Sequence, residues 1–316
     1  MKSFYLYLFL LALFCSFILG KFLIPVLKSL KIRQFIRKDG PPSHHTTKSQ
    51  VPTIGGLIFF IPLFIITLIT VLVRKDFLSL DLIILLSATF LMGAVGFIDD
   101  FFKITKKQNK GVSGWIKLLL QLFISVIIFY LYKKGESLIY ILWLFFVIAG
   151  ASNSYNLTDG LDGLAGSISV LSLCGCCFLL NYLGKYDLLI FTVVLTGAIL
   201  GFLYYNWNPA KVFMGDTGSL AVGTAIGVIG VITKTELFLI LFSTIPILEA
   251  LSVILQVVSF QFSKKFMGVD KRIFKMAPLH HHFELCGWKE KEIVIRFVLF
   301  QAIFVAVGII LLMSKH

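Results

Sequence analysis

The sequence predicts an all-α, polytopic integral membrane protein, a single domain over residues 1–316 with about ten transmembrane helices. Three observations predict it. Hydrophobic residues make up 58% of the chain against 14% charged, with a mean hydropathy of +0.94, more apolar surface than a soluble fold of this length needs. Apolar stretches recur near 4–24, 54–73, 81–98, 116–132, 138–152, 163–182, 187–205, 217–233, 236–262 and 292–313. Most approach the roughly 20 residues that cross a bilayer as a helix. Between them the polar, chemically capable residues gather in five islands: GPPSHHTTKSQVPTIGG (40–56), DDFFKITKKQNKG (99–111), NSYNLTDGLDG (153–163), NWNPAKVFMGDTG (206–218) and KMAPLHHHFELCGW (275–288).

An even number of spans puts both termini on one side of the membrane. Loops 25–53, 99–115, 206–216 and 263–291 carry 18 Lys/Arg, against eight in the opposite loops and the termini. Basic loops stay cytoplasmic, so both termini are expected outside and all five islands in the cytoplasm. This places the chain as a multi-pass membrane protein whose polar islands meet the cytoplasm. The first apolar run, after Lys2, resembles a signal peptide, but Phe14 is too bulky for a cleavage site and a retained helix is expected. The net charge of +13 suits an anionic leaflet or an anionic substrate; no nucleic-acid partner is expected. The five cysteines lack two CxxC pairs and lie mostly in apolar segments, which argues against a disulfide or zinc framework.

Carboxylates, lysines and a histidine triplet at one membrane face imply that something charged is handled there. Asp99-Asp100 closes the third span, with Lys103 and Lys107 four residues apart behind it. Neighbouring carboxylates can bind a divalent cation or divide into a base and an electrostatic partner; the bland alternative is a stop-transfer cap. Lysines on one helical face suit a pyrophosphate. In Asn156-Leu-Thr-Asp159-Gly-Leu-Asp162-Gly163, capping explains one acid easily but not Asn, Asp and Asp together. Asp216, in Phe213-Met-Gly-Asp216-Thr-Gly218, reads equally as a cap or a metal ligand. His280-His281-His282 cannot all meet one metal from an ordinary helix, because their directions fan out. In a loop, one can face a phosphate while the others order the loop, and a zinc site with Asp99 and Asp100 is a further reading. Lys48 offers an anion contact, and Glu249 is an intramembrane acid near Pro246, where a helix break is expected.

Taken in order, these motifs closely resemble the polyprenyl-phosphate N-acetylhexosamine-1-phosphate transferase superfamily, from about His44 to Arg296. Ala277-Pro-Leu-His-His-His-Phe-Glu284 resembles the signature of its muramoyl-pentapeptide branch. The resemblance implies attack of undecaprenyl phosphate on UDP-N-acetylmuramoyl-pentapeptide, giving lipid I and UMP for peptidoglycan synthesis, with Mg²⁺ as cofactor. It implies Asp216 as the metal ligand, Asp99 as base and Asp100 in support. It also implies Lys48, Lys103, Lys107 and His280 on phosphates, with His280 counted among the catalytic groups. Asn156, Asp159, Asp162, Asn206 and Phe213 would surround the nucleotide, with His281 and His282 near the sugar. A homodimer is compatible with it. Rival readings are a sister transferase using UDP-N-acetylglucosamine, a membrane phosphatase and a secondary transporter. The last should place its polar groups at the membrane midplane.

Overall fold

A computed structural model of the chain describes residues 2–30, 32, 51–106, 111–132, 137–268, 270 and 272–314. Lys48 and Lys107 therefore lie outside the described residues, as do His44 and His45. Among the described residues there are twelve α-helices and no strand: α1 Lys2–Ser29, α2 Leu57–Val73, α3 Leu80–Thr105, α4 Gly114–Tyr132, α5 Tyr140–Thr158, α6 Leu164–Tyr182, α7 Tyr186–Asn206, α8 Gly215–Thr233, α9 Glu236–Phe242, α10 Thr244–Met267, α11 Leu279–Leu285 and α12 Glu290–Met313. Nine are long and apolar enough to cross a membrane, and α2 is a shorter apolar helix. A helix is the natural answer to an apolar run in lipid, because it satisfies its own backbone donors and acceptors.

The ten expected stretches all appear. The ninth, 236–262, breaks into α9 and α10 at Ser243, close to the Pro246 where a break is expected. A break inside a bilayer exposes backbone groups that need partners. Gln301 of α12 supplies them: its side-chain amide donates to the Phe242 carbonyl at 2.8 Å, and its side-chain oxygen accepts from Ile245 N–H at 2.9 Å.

α8 forms the hub. It packs most closely against α3 and α5, while α7 joins α1, α2 and α6. The four glycines Gly218, Gly223, Gly227 and Gly230 and the small residues between them let neighbouring helices approach, as membrane helices generally require. The outer helices α1, α4 and α10 keep large apolar side chains such as Phe14, Phe123 and Ile254 exposed, as a lipid-facing surface should.

Candidate active site

The helix ends that carry the polar islands meet at one end of the bundle. Gly96 on α3 lies directly against the Asp216 carbonyl, and a methyl group there would overlap it. That close approach brings the last turns of α3 to the first turn of α8. α3 runs on past the acids to Thr105, so Asp99 and Asp100 sit more than a turn inside the helix rather than at its end.

Asp100 is buried and takes the exposed N–H groups that open α8. Its carboxylate accepts from Asp216 N–H at 3.2 Å, Thr217 N–H at 3.0 Å and the Thr217 hydroxyl at 2.8 Å. Asp159 adds a fourth contact, accepting from Gly215 N–H at 3.0 Å. Two acids from other helices thus cap α8, satisfying orphan donors and opposing the positive end of its dipole.

This leaves the Asp216 carboxylate free to face the neighbouring cations. Lys103 bridges Asp99 at 2.6 Å and Asp216 at 3.1 Å. Lys117, from the start of α4, bridges the same two acids at 3.0 and 2.5 Å. Asp99 also accepts from Val112 N–H at 2.7 Å, and Asn156 donates to Asp216 at 3.0 Å and to the Ser219 hydroxyl at 2.9 Å. Asp99, Asp100 and Asp216 each offer an oxygen within 4.8 Å of the others, a set that could hold a metal ion. An all-oxygen set suits a hard divalent cation rather than zinc. No histidine joins that group among the described residues, so the mixed zinc reading is not met.

Beside this centre, two loops form a linked wall. Asp162 accepts from Asn208 at 3.2 Å and Ala210 N–H at 2.9 Å, and Asn206 ties Gly163 N–H to the Val212 carbonyl at 3.2 and 3.0 Å. Phe213 joins the first island through its backbone, bonded to Pro52 and Gly55 at 2.8 Å each.

The histidines lie on the short helix α11, not in an irregular loop, and they do fan out. His280 is buried and meets Glu249 at 3.1 Å. His281 pairs with Glu284 at 2.7 Å, and His282 accepts from Lys275 N–H at 3.2 Å.

Comparison with known proteins bears on this arrangement. Residues 82–234, which hold the three acids and both lysines, match the family described as glycosyl transferase family 4. A phospho-N-acetylmuramoyl-pentapeptide-transferase of Geobacillus sp. (strain WCH70) is 40% identical over 321 residues, spanning 95% of this chain and 96% of that protein. Proteins of the same name from Bacillus cytotoxicus and Bacillus thuringiensis are each 40% identical over 303 residues, with 90% of this chain and 91% of theirs covered. The chain belongs to the phospho-N-acetylmuramoyl-pentapeptide-transferase family.

For a transferase of this family, the structure brings together Asp99, Asp100, Lys103, Asn156, Asp159 and Asp216 around the opening of α8. Asp162, Asn206 and Phe213 form the adjoining wall, and His280 approaches it from the far side of Gly160. His281 and His282 point elsewhere, to Glu284 and to the 275 backbone. Lys117 was not among the expected site residues. Its signal was present in the sequence: it is the single charge inside the apolar stretch 116–132, and an intramembrane charge asks for a partner.

Proposed function

We propose that the protein transfers phospho-N-acetylmuramoyl-pentapeptide from its UDP donor to undecaprenyl phosphate, releasing UMP and forming lipid I. The acid centre works from the cytoplasmic face, with both termini outside and a homodimer as the assembled form. The observation that carries this reading is the convergence of Asp99, Asp100 and Asp216 with Lys103 and Lys117 at one end of the bundle. Family membership gives the donor its identity, and the same centre has the charge pattern the reaction demands.

Two anionic phosphates must meet, and cations have to offset their repulsion and the charge that grows on the departing UMP. Lys103 and Lys117 stand ready for both tasks, since each now bridges two carboxylates and can exchange one of them for a phosphate oxygen. Asp99 sits between the same two ammoniums and is the group placed to take a proton from the lipid phosphate. Asp216 would hold Mg²⁺, with Asp99 and Asp100 offering the further oxygens of the same group. The chemistry a bound Mg²⁺ supplies is neutralisation of the diphosphate. Asn156 fixes the Asp216 carboxylate, and Asp100 and Asp159 fix the helix that presents it. The wall formed by Asp162, Asn206 and Phe213 receives the nucleotide, with Phe213 stacking on uracil. Lys48 and Lys107 handle phosphates, His280 supports the transfer, and His281 and His282 order the α11 segment through Glu284 and the Lys275 backbone. Holding both substrates in line removes much of the entropic cost of their encounter.

The test is UMP release by purified protein in detergent with Mg²⁺, undecaprenyl phosphate and one nucleotide sugar at a time. Lipid-dependent release from UDP-N-acetylmuramoyl-pentapeptide alone is expected. Release from UDP-N-acetylglucosamine instead would move the protein to the sister activity, and inorganic phosphate without UMP would make it a phosphatase.

A further inference from the structure

Behind the acid centre lies a buried ionisable pair, of which only the histidine has been given a part in the transfer. Glu249 and His280 are both almost wholly shielded from solvent, at 0% and 1% exposure, and come from different helices, α10 and α11. They meet through His280 Nδ1 and Glu249 Oε1 at 3.1 Å. Among the described residues, neither His280 Nε2 nor Glu249 Oε2 has a hydrogen-bond partner. A buried acid and a buried ring nitrogen left half satisfied are costly, and such a deficit in a well-packed interior asks for an explanation.

The direction of the ring supplies one. His280 Nε2 lies against Gly160, so closely that a methyl group on that residue would overlap the ring. Gly160 follows Asp159, whose carboxylate caps Gly215 N–H next to Asp216. A continuous line of contact therefore runs from Glu249 through His280 and the 159–160 backbone to the opening of α8. With Glu249 ionised, its carboxylate accepts from Nδ1–H, and Nε2 is the nitrogen turned toward Gly160.

We propose that Glu249 is a positioning residue for the transfer: it fixes the tautomer and ring orientation of His280, whose buried Nε2 edge packs on Gly160 and so holds the 156–163 segment, with Asp159, against the opening of α8. This rests on the transferase reading above. Glu249 lies on α10 just after the break at Ser243 and is fully buried.

Two measurements on the full-length protein test this. In protein carrying ¹⁵N-histidine, with the His280 signals assigned by their loss in His280→Gln, the wild type is expected to show a protonated Nδ1. Glu249→Gln should mix the two tautomers, and Glu249→Asp should restore the wild-type pattern in part. In the UMP-release assay Glu249→Gln should lower kcat by roughly tenfold to a hundredfold with KM for the nucleotide little changed, the pattern of reacting groups held out of place while the donor still binds. Adding Glu249→Gln to His280→Gln should cost nothing further. An unchanged histidine spectrum and unchanged kcat in Glu249→Gln, even with a lower melting temperature, would overturn the proposal and leave a structural pair. A wild type that releases no UMP would instead count against the transferase reading, and the spectrum would still decide the tautomer.

Discussion

Helix α3 carries acids near both ends, and the two ends treat them differently. Asp81 and Asp99 lie 18 residues apart, about 27 Å along a helix. At the Asp81 end each oxygen has its own donor: Tyr132 at 2.5 Å and Lys185 at 3.0 Å. Asp187 beside it takes the Ser79 hydroxyl. Lys185 is 44% exposed, so solvent screens this cluster, which ties α3, α4 and α7 together. At the other end three carboxylates share two ammoniums within 4.8 Å, under the positive end of α8. That surplus of negative charge, buried and held by the backbone, is what a cation and a diphosphate would relieve. Both ends hold paired acids; among the described residues only those at the Asp99 end converge closely enough to share one ion.

The sharpest way to break this comparison is to neutralise one acid at each end. Asp216→Asn should reduce UMP release by roughly a thousandfold or more, while the protein still elutes as a folded species in detergent. Retained turnover in that variant would sink the assignment of Asp216. Lys117→Met sharpens the comparison by removing a bridging cation. A loss of roughly a hundredfold in kcat/KM is expected, and a change confined to thermal stability would return Lys117 to a purely structural role. Asp100→Asn tests whether that acid acts mainly by capping α8. It should cost about 1–2 kcal/mol of stability and lower activity less than Asp216→Asn does, read from thermal unfolding and UMP release together. Smallest of all, Tyr132→Phe at the far end should cost about 1 kcal/mol of stability and leave turnover within about twofold. A large activity loss there would erase the distinction between the two ends.

The spans were legible because length and hydropathy fix a helix in lipid almost alone, and the five islands were legible because alternating spans return each to the same side. The break at Ser243 was harder: Ser243 and Pro246 hint at it, but the group that makes it tolerable, Gln301, lies far away in sequence. The capping of α8 was not legible either. One acid of the 156–163 motif reads as a cap for the helix that follows, yet α6 opens on Gly163 with φ +77° and no side-chain cap, and Asp159 serves α8 instead. Caps supplied from another helix leave no local pattern in the chain. Gly160 shows the same limit, since its close neighbour is His280 of α11 and not an expected ligand. Lys117 was legible in principle, as a lone charge in an apolar run, and was missed because its acids lie on α3 and α8.

The central claim is that the buried acids at one end are a cation site and those at the other are a fastener. Mn²⁺ binding, followed by electron paramagnetic resonance as a stand-in for Mg²⁺, tests it without relying on turnover. The wild type and Asp81→Asn should bind the ion equally well, and Asp216→Asn should lose it. Equal binding by all three proteins would contradict the claim.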